Sequence, residues 1–398
     1  MHYIRFLKPP RLLGGRRGNA PSVLKAKVTV TTDLGESFLW ANVDLVVELT
    51  DGTGKRVLER GKGYTWKGSE GMRSLEVELF IPAFRGKESG GMLRMLVRPK
   101  EDFLAVENSE RILGDSNEHE DTGKMGCVMA VRSMAIEIPS NQSLPISTTT
   151  SMAERTFRFG KSEIHIWEET GESIARHIWY ACTTQNTHRD AGLLLSAYLA
   201  SISDPSSQKA SPQFPSLQRT LFQKDLKIIE LGAGCGIVGI TLSTFFEKQI
   251  SQILLTDLPE ASEILAQNLS PLSLSSPSPN TSNSNPPKIS HQVLDWSSPL
   301  PQNISETKWD MVVVADCTYN PDVVPDLVRT LARLGEASAG MLVLLAMKVR
   351  HDSEMVFFEL MVQGGFVVLE KCKMALPVLG GGGGGGGEDI EVFVFAVG

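Results

Sequence analysis

A run of glycines directly behind an apolar segment is the feature that most limits how this chain can fold. Residues 227–231 form a mostly apolar stretch that leads into Gly232, Gly234 and Gly236, and a second apolar segment follows at once. Glycines are needed where the backbone turns sharply from a strand into a helix, and where a ligand must approach that turn without a Cβ in the way. The pattern predicts a strand, a ligand-binding loop and a helix, in that order.

Two acidic residues near this run indicate the kind of ligand. Asp257 ends the next apolar segment, where its carboxylate could accept hydrogen bonds from both ribose hydroxyls of a nucleoside. Glu230 lies just before the first glycine, where its charge would repel a pyrophosphate but suits a ligand that carries an ammonium and a sulfonium group. The spacing from Gly234 to Gly239 also fits the less specific dinucleotide fingerprint. A tight strand-to-helix turn with an acidic surface cap is the structural alternative.

The second half of the chain alternates apolar strands with helical segments, which indicates a parallel α/β sheet. Seven strands are predicted, at 227–231, 252–256, 289–294, 311–315, 341–346, 366–370 and 390–395. The helices expected between them include 237–246, 260–268 and 321–334. Asn320 is expected to cap the last of these helices, with Pro321 as its first residue. The predicted fold class is therefore α/β, with a Rossmann-like sheet.

The first half of the chain has a different pattern. Alternating and β-branched runs separated by turn residues predict a smaller antiparallel β domain over residues 1–138. Its expected strands are 23–32, 38–49, 63–66, 75–82 and 92–97. A linker is predicted over 139–156 and the α/β domain over 157–398. Insertions without regular structure are expected near 201–216, 270–287 and 380–387, which are rich in Ser, Pro or Gly.

A second group of residues narrows the function. Ala315 ends a buried strand and leads to Asp316 and Tyr319, at the sheet edge where α/β folds bind ligands, and Asp295 and Trp296 lie upstream. In this order around the glycine run, from about residue 164 onward, the sequence resembles the family 16 protein-lysine methyltransferases. These belong to the class I, seven-strand, S-adenosylmethionine-dependent methyltransferases. The resemblance implies a seven-stranded Rossmann-like sheet and S-adenosyl-L-methionine as the cofactor.

The glycine run and the resemblance together assign roles to single residues. The residues expected to bind the cofactor are Trp179, Glu230, Gly232, Ala233, Gly234, Gly236, Asp257, Asp295, Trp296 and Ala315. Asp316 and Tyr319 are the expected catalytic residues: Asp316 would orient the cofactor or the target amine, and the Tyr319 ring would contact the amine. The family's unbroken Trp-Asp-Ala run is interrupted here, because residues 180–189 separate Trp179 from Asp190.

Composition excludes several other function classes. The formal net charge is −7, which gives no electrostatic case for binding nucleic acid or an anionic membrane. The five cysteines have no CxxC spacing and the histidines have no ligand spacing, so neither a disulfide framework nor a metal site is expected. We expect a monomer in the cytoplasm, with the nucleus as a second compartment.

The leading prediction is a protein-lysine N-methyltransferase that acts on a folded cytosolic protein such as a chaperone or a translation factor. Two alternatives stay open at this point. The same pocket would serve a methyltransferase for small molecules or other amines. The interrupted Trp179–Asp190 run would also suit a catalytically silent module that uses the methyltransferase fold to bind partners.

Overall fold

Three β-sheets are present in the part of the chain that the computed structural model describes. The described residues are 1–13, 22–33, 35, 37–81, 92–113, 128–137, 152–170, 190–203, 213–274, 288–318, 320–348, 356–377 and 389–398. Two of the sheets lie in the N-terminal half and the third lies in the C-terminal half. Within these ranges, no helix combines the length and the apolar character needed to cross a membrane.

The N-terminal half is built from two sheets that face each other. Its elements are β1 (His2–Leu13), β2 (Val23–Thr31), β3 (Asn42–Asp51), β4 (Val57–Arg60), β5 (Tyr64–Lys67), β6 (Leu75–Phe80), β7 (Met92–Pro99), α1 (Ser109–Ile112), β8 (Val128–Met129), β9 (Val131–Ser133), β10 (Ile136–Glu137), β11 (Met152–Phe159) and β12 (Ser162–Glu169). One sheet has the order β6-β2-β1-β8, and the other has the order β12-β11-β9-β7-β3-β4, with β5 beside β3 and β10 beside β7. Apolar side chains of both sheets share one core, which includes Phe6 and Trp66.

Three features of this half differ from the sequence expectations. The basic first segment forms β1, which pairs antiparallel with β2 and parallel with β8, so the pairing is not wholly antiparallel. Strand β11 runs across the predicted boundary between residues 156 and 157, and it pairs with β9. The β11–β12 hairpin therefore completes the N-terminal sheet. The alternation of apolar and polar residues that predicts a strand is interrupted in this hairpin, because Arg155 and Glu168 occupy buried positions, where they form an ion pair.

The C-terminal half is a seven-stranded sheet with helices on both faces. Its elements are α2 (Asp190–Ile202), α3 (Pro215–Leu221), β13 (Leu226–Leu231), α4 (Ile237–Phe245), β14 (Ile250–Asp257), α5 (Ser262–Leu274), β15 (Lys288–Val293), α6 (Gln302–Ser305), β16 (Met311–Ala315), α7 (Val324–Ala337), β17 (Leu342–Lys348), α8 (Val356–Gln363), β18 (Phe366–Ala375) and β19 (Asp389–Val397). The strand order is β15-β14-β13-β16-β17-β19-β18. Neighbours from β15 to β17 are parallel, and β19 is antiparallel to both of its neighbours. The seven predicted strands and the Rossmann-like fold class are confirmed.

Helix boundaries account for the remaining differences in this half. Helix α7 begins later than predicted, with Pro325 in its first turn, and Asn320 instead stabilises the turn that precedes it. Helices α2, α3 and α5 each extend into a predicted insertion, either 201–216 or 270–287. The predicted insertion at 380–387 lies outside the described residues.

The chain order along the sheet locates a crevice. In the sheet, β14 lies on one side of β13 and β16 lies on its other side. The strand order therefore reverses at β13. Open α/β sheets bind ligands outside the carboxyl ends of the strands at such a point. The glycine run follows β13 at this edge of the sheet.

Candidate active site

The loop between β13 and α4 has the conformation that its glycines predict. Gly232, Gly234 and Gly236 have φ angles of 68°, 56° and 80°, a region that residues with a Cβ rarely adopt. The Ala233 N–H donates to the Thr256 carbonyl oxygen at 3.0 Å, which fixes the loop to β14. The predicted strand, tight loop and helix are therefore all present.

Gly232 is closely surrounded on its side-chain face. A Cβ at this position would lie 2.4 Å from Cys317 Sγ and 3.4 Å from Trp296 Cζ2. The Cys317 thiol also lies 3.5 Å from the Leu231 carbonyl oxygen. The loop thus rests on a thiol and an indole ring, and the chain can take this path only with glycine at position 232.

Trp296 offers a hydrogen-bond donor beside this loop. Its Nε1 is buried and has no hydrogen-bond partner within the described residues. Buried polar groups are almost always paired in folded proteins, so an unpaired donor calls for an explanation. A ligand acceptor next to the glycine loop would satisfy it, which fits the expected position of the nucleoside end of the cofactor.

Asp257 fixes the shape of the glycine loop. Its Oδ2 accepts a hydrogen bond from the Gly234 N–H at 2.6 Å, and its Oδ1 accepts one from the Leu258 N–H at 2.7 Å. The carboxylate therefore lies at the end of β14, in contact with the loop, as the sequence predicted. A carboxylate oxygen can accept more than one hydrogen bond, so a ribose hydroxyl could also donate to Asp257.

Glu230 lies beneath the loop and is almost completely buried. Its Oε2 accepts a hydrogen bond from the Gly239 N–H at 2.8 Å, and a Cβ on Gly239 would lie 2.7 Å from that oxygen. Burial, and to a smaller extent the nearby Asp257 charge, raise the pKa of the Glu230 carboxyl to about 8, although the hydrogen bond from the Gly239 N–H acts in the opposite direction. The structure thus directs Glu230 toward the first turn of α4, where it joins β13 to the helix.

We expect the raised pKa of Glu230 to make the stability of the protein fall as the pH rises. Its usual pKa is 4.5, so between about pH 4.5 and 8 the folded state holds a proton that the unfolded state has lost. At 1.36 kcal/mol per pKa unit, the free energy of unfolding should drop by up to about 5 kcal/mol across this window. Urea unfolding at several pH values measures this slope. Glu230→Gln should flatten it, whereas Glu59→Gln on the exposed β4 should not. Equal slopes in wild type and Glu230→Gln would contradict the assignment.

Asp316 has an unusual backbone conformation at the end of β16. Its φ is 57° although it is not glycine, and its side chain is buried. The Asp316 N–H donates to the Ala346 carbonyl oxygen at 2.8 Å, and its Oδ1 accepts from the Lys348 N–H at 3.3 Å. Strained conformations of this kind persist where the surrounding structure enforces them, and they cluster at functional sites. The next residue, Cys317, contacts Gly232, so the Asp316 strand end and the glycine loop are neighbours.

Helix α2 passes over the same edge of the sheet. A Cβ on Gly192 would lie 3.6 Å from Ile237 Cγ2 and 3.8 Å from the Ala315 Cβ. The start of α2 therefore packs on the start of α4 and on the end of β16.

Of three further predicted site residues, the structure describes one and leaves two undescribed. Asp295 is exposed, and its Oδ1 accepts hydrogen bonds from the Ser297 N–H at 2.9 Å and the Ser297 hydroxyl at 2.8 Å, so it shapes the turn that carries Trp296. Trp179 and Tyr319 lie outside the described residues, and their roles stay predictions.

The structure also adds residues that the sequence reasoning missed. Cys317 is one of the five cysteines and no sequence motif marks it, yet its thiol supports Gly232. Asp190 and Lys348 form a buried ion pair at this edge, with 3.1 Å between Lys348 Nζ and Asp190 Oδ2. The sequence signal for this pair is a charged residue at the start of a buried helix and another at the end of a buried strand.

Known proteins match both the C-terminal half and nearly the whole chain. The family described as lysine methyltransferase matches residues 158–364, which include the glycine loop and Asp316. A UPF0665 family protein of Schizosaccharomyces pombe is 26% identical over 363 residues, which are 89% of this chain and 91% of that protein. EEF1A lysine methyltransferase 3 of Xenopus tropicalis is 29% identical over 53% of this chain and 75% of its own length.

A third relative matches a shorter stretch. Protein-lysine N-methyltransferase EFM3 of Saccharomyces cerevisiae is 31% identical over 34% of this chain and 38% of its own length. The family match covers more than half of the chain, and it includes the elements that build the site. The chain therefore belongs to the lysine methyltransferase family, and it is an S-adenosylmethionine-dependent methyltransferase.

Proposed function

We propose that this protein-lysine methyltransferase modifies a folded cytosolic protein, with a translation factor as the first target to test and a chaperone as the second. The observation that carries the proposal is the glycine loop, held by Asp257 and bordered by the unpaired indole N–H of Trp296. The name of the Xenopus relative, an EEF1A lysine methyltransferase, favours a translation factor. We further propose that the enzyme works as a monomer in the cytoplasm and the nucleus.

The described residues suggest how the cofactor would be held. The loop from Gly232 to Gly236 would accommodate its methionine moiety, the Asp257 carboxylate would accept the ribose hydroxyls, and Trp296 would lie at the adenine end. When bound, S-adenosylmethionine supplies a methyl group that its sulfonium already activates. The protein residues therefore need only to bind, orient and exclude water.

The target lysine must release its proton to water before its nitrogen can accept the methyl group. The pKa of a free lysine is about 10.4, but desolvation in a narrow crevice and a nearby positive charge both lower it. We propose that the buried Asp316 carboxylate orients the amine toward the donor. Alignment of this kind can supply a large part of the rate enhancement, because the reacting atoms no longer have to find each other.

Label transfer in cell lysate tests this function. Lysate from cells that lack the protein should be incubated with purified enzyme and S-adenosylmethionine that carries a labelled methyl group. We expect a discrete labelled protein band, with methylated lysine on mass spectrometry. Asp316→Asn is the matched control because asparagine tolerates a positive φ, so this variant should fold but label about 100-fold more slowly.

The alternative functions predict other outcomes of the same assay. Label found only in small molecules would favour a methyltransferase for small amines and would overturn the proposed protein target. A protein that neither transfers label nor binds S-adenosylhomocysteine in calorimetry would be a catalytically silent module. Label of equal intensity from wild type and Asp316→Asn would remove Asp316 from the proposed mechanism.

A further inference from the structure

A buried polar cluster joins the N-terminal half to the edge of the sheet that carries the active site. We call it the interdomain cluster, and we define it by Tyr3, Asp33, Asp190 and Lys348; the Met1 ammonium also lies 3.6 Å from Asp190 Oδ2. Lys348 Nζ lies 3.1 Å from Asp190 Oδ2 and 3.9 Å from Asp33 Oδ1. The Tyr3 hydroxyl donates to Asp190 Oδ1 at 2.8 Å. Two members belong to the N-terminal half, and the other two belong to α2 and β17.

The members of the cluster are withdrawn from water. Tyr3 and Asp190 are 0% exposed, Asp33 is 2% exposed and Lys348 is 7% exposed. Burial raises the pKa of the Asp190 carboxyl and that of the Tyr3 hydroxyl. Charges in such surroundings persist only when they are paired and hydrogen-bonded, so their positions are tightly fixed. Both acidic residues thus hold the Lys348 side chain in one place.

The N-terminal half supports its own part of the cluster. The Arg5 guanidinium on β1 donates to the Asp33 carbonyl oxygen at 2.6 Å. Tyr3 lies two residues earlier on the same strand, and its ring is buried in the core that also contains residues of α2. Strand β1 therefore positions both N-terminal members of the cluster.

Lys348 connects the cluster to Asp316. It is the last residue of β17, and its backbone N–H donates to Asp316 Oδ1 at 3.3 Å. The adjacent parallel strand β16 ends directly before Asp316. The side chain of Lys348 thus anchors the strand end whose backbone holds the Asp316 carboxylate.

We infer that Lys348 is a positioning residue for the methyl-transfer reaction and that the N-terminal half, through Tyr3 and Asp33, completes the active site. The inference rests on the proposed role of Asp316. It makes the N-terminal sheets a structural part of the catalytic site rather than only a surface for choosing substrates. Lys348 acts through the strand end and does not contact the reacting atoms.

Lys348→Met and Lys348→Arg test the inference together. Lys348→Met keeps an unbranched side chain that is one atom shorter and removes the charge, so kcat should fall by about tenfold to a hundredfold, as a displacement near 1 Å would cause. KM for the protein substrate should change by less than about threefold, because substrate contacts remain. Lys348→Arg should restore most of the lost kcat. The matched control is Lys373→Met on β18, where the lysine is exposed and pairs with Glu391 at the surface.

Amide hydrogen exchange supplies a readout that does not depend on the cofactor or on turnover. In the cofactor-free protein, Lys348→Met should speed exchange in the β17 segment 342–348 at least severalfold, and Lys373→Met should leave it unchanged. If Lys348→Met does not fold, Asp190→Asn combined with Lys348→Met removes one charge of each sign, which leaves the net charge of the buried cluster unchanged, and should fold. The double variant should still show low kcat.

Some results would overturn the inference. If Lys348→Met or the double variant folds and shows both wild-type kcat and wild-type exchange in β17, the cluster is only structural. A failure of the proposed function looks different. In that case the wild-type protein itself would transfer no methyl group to protein, while the exchange comparison would still report whether Lys348 fixes the end of β17.

Discussion

Asp257→Ala is expected to weaken the binding of S-adenosylhomocysteine about 100-fold or more. The substitution removes the acceptor of the Gly234 N–H and of the Leu258 N–H, and with it the proposed acceptor of the ribose hydroxyls. Hydrogen bonds to a charged group contribute about 1.5–3 kcal/mol each, and about 1.4 kcal/mol corresponds to a tenfold change in Kd. Titration calorimetry with the purified variant measures the loss directly.

Two further variants separate a lost ligand contact from a disordered loop. Asp44→Ala removes an exposed aspartate from β3 and should bind like wild type. Asp257→Asn keeps an oxygen acceptor for one backbone N–H but loses the charge, so its affinity should lie between that of wild type and that of Asp257→Ala. Wild-type affinity in Asp257→Ala would mean that the cofactor does not contact this strand end.

Gly232→Ala is expected to destabilise the protein by about 3 kcal/mol or more and to abolish cofactor binding. Alanine at a positive φ costs about 1–2 kcal/mol, and at this position its Cβ would also meet Cys317 Sγ at 2.4 Å. The loop would have to move away from the thiol, which displaces the backbone that faces the ligand. Urea unfolding and calorimetry with S-adenosylhomocysteine measure the two effects.

The chain offers a matched control for the backbone effect alone. Gly340 has a φ of 81°, and a Cβ there would meet nothing within 4 Å, so Gly340→Ala should show only the cost of the positive φ. Combining Gly232→Ala with Cys317→Ala removes the thiol and should recover part of the lost stability. If Gly232→Ala is no worse than Gly340→Ala, the contact with Cys317 does not matter.

The seven-stranded sheet could be predicted from the sequence because its central strands are buried on both faces. Such strands are short continuous apolar runs, and β16 and β17 are of this kind. The glycine loop was equally predictable, since only glycine adopts its backbone angles without strain. The positions of Asp257 and Asp316 followed, because parallel strands end at one edge of the sheet.

Other features depend on contacts between distant parts of the chain, which local patterns do not reveal. Strand β11 carries the buried Arg155, whose partner Glu168 on β12 makes the position tolerable only after the hairpin forms. The role of Lys348 depends on Asp33 and Asp190, which are far from it in sequence. The contact of Glu230 with the Gly239 N–H in the next helix is of the same kind, and its expected role toward the cofactor stays a prediction.

The β11–β12 hairpin also has an evolutionary consequence. The match to the lysine methyltransferase family begins at residue 158, inside β11, although this hairpin completes the N-terminal sheet. If recombination joined the catalytic half to a different N-terminal domain, that domain would therefore need a sheet that can pair with the same hairpin. The two halves are consequently expected to be inherited and to diverge together, as the S. pombe protein that matches along nearly the entire length suggests.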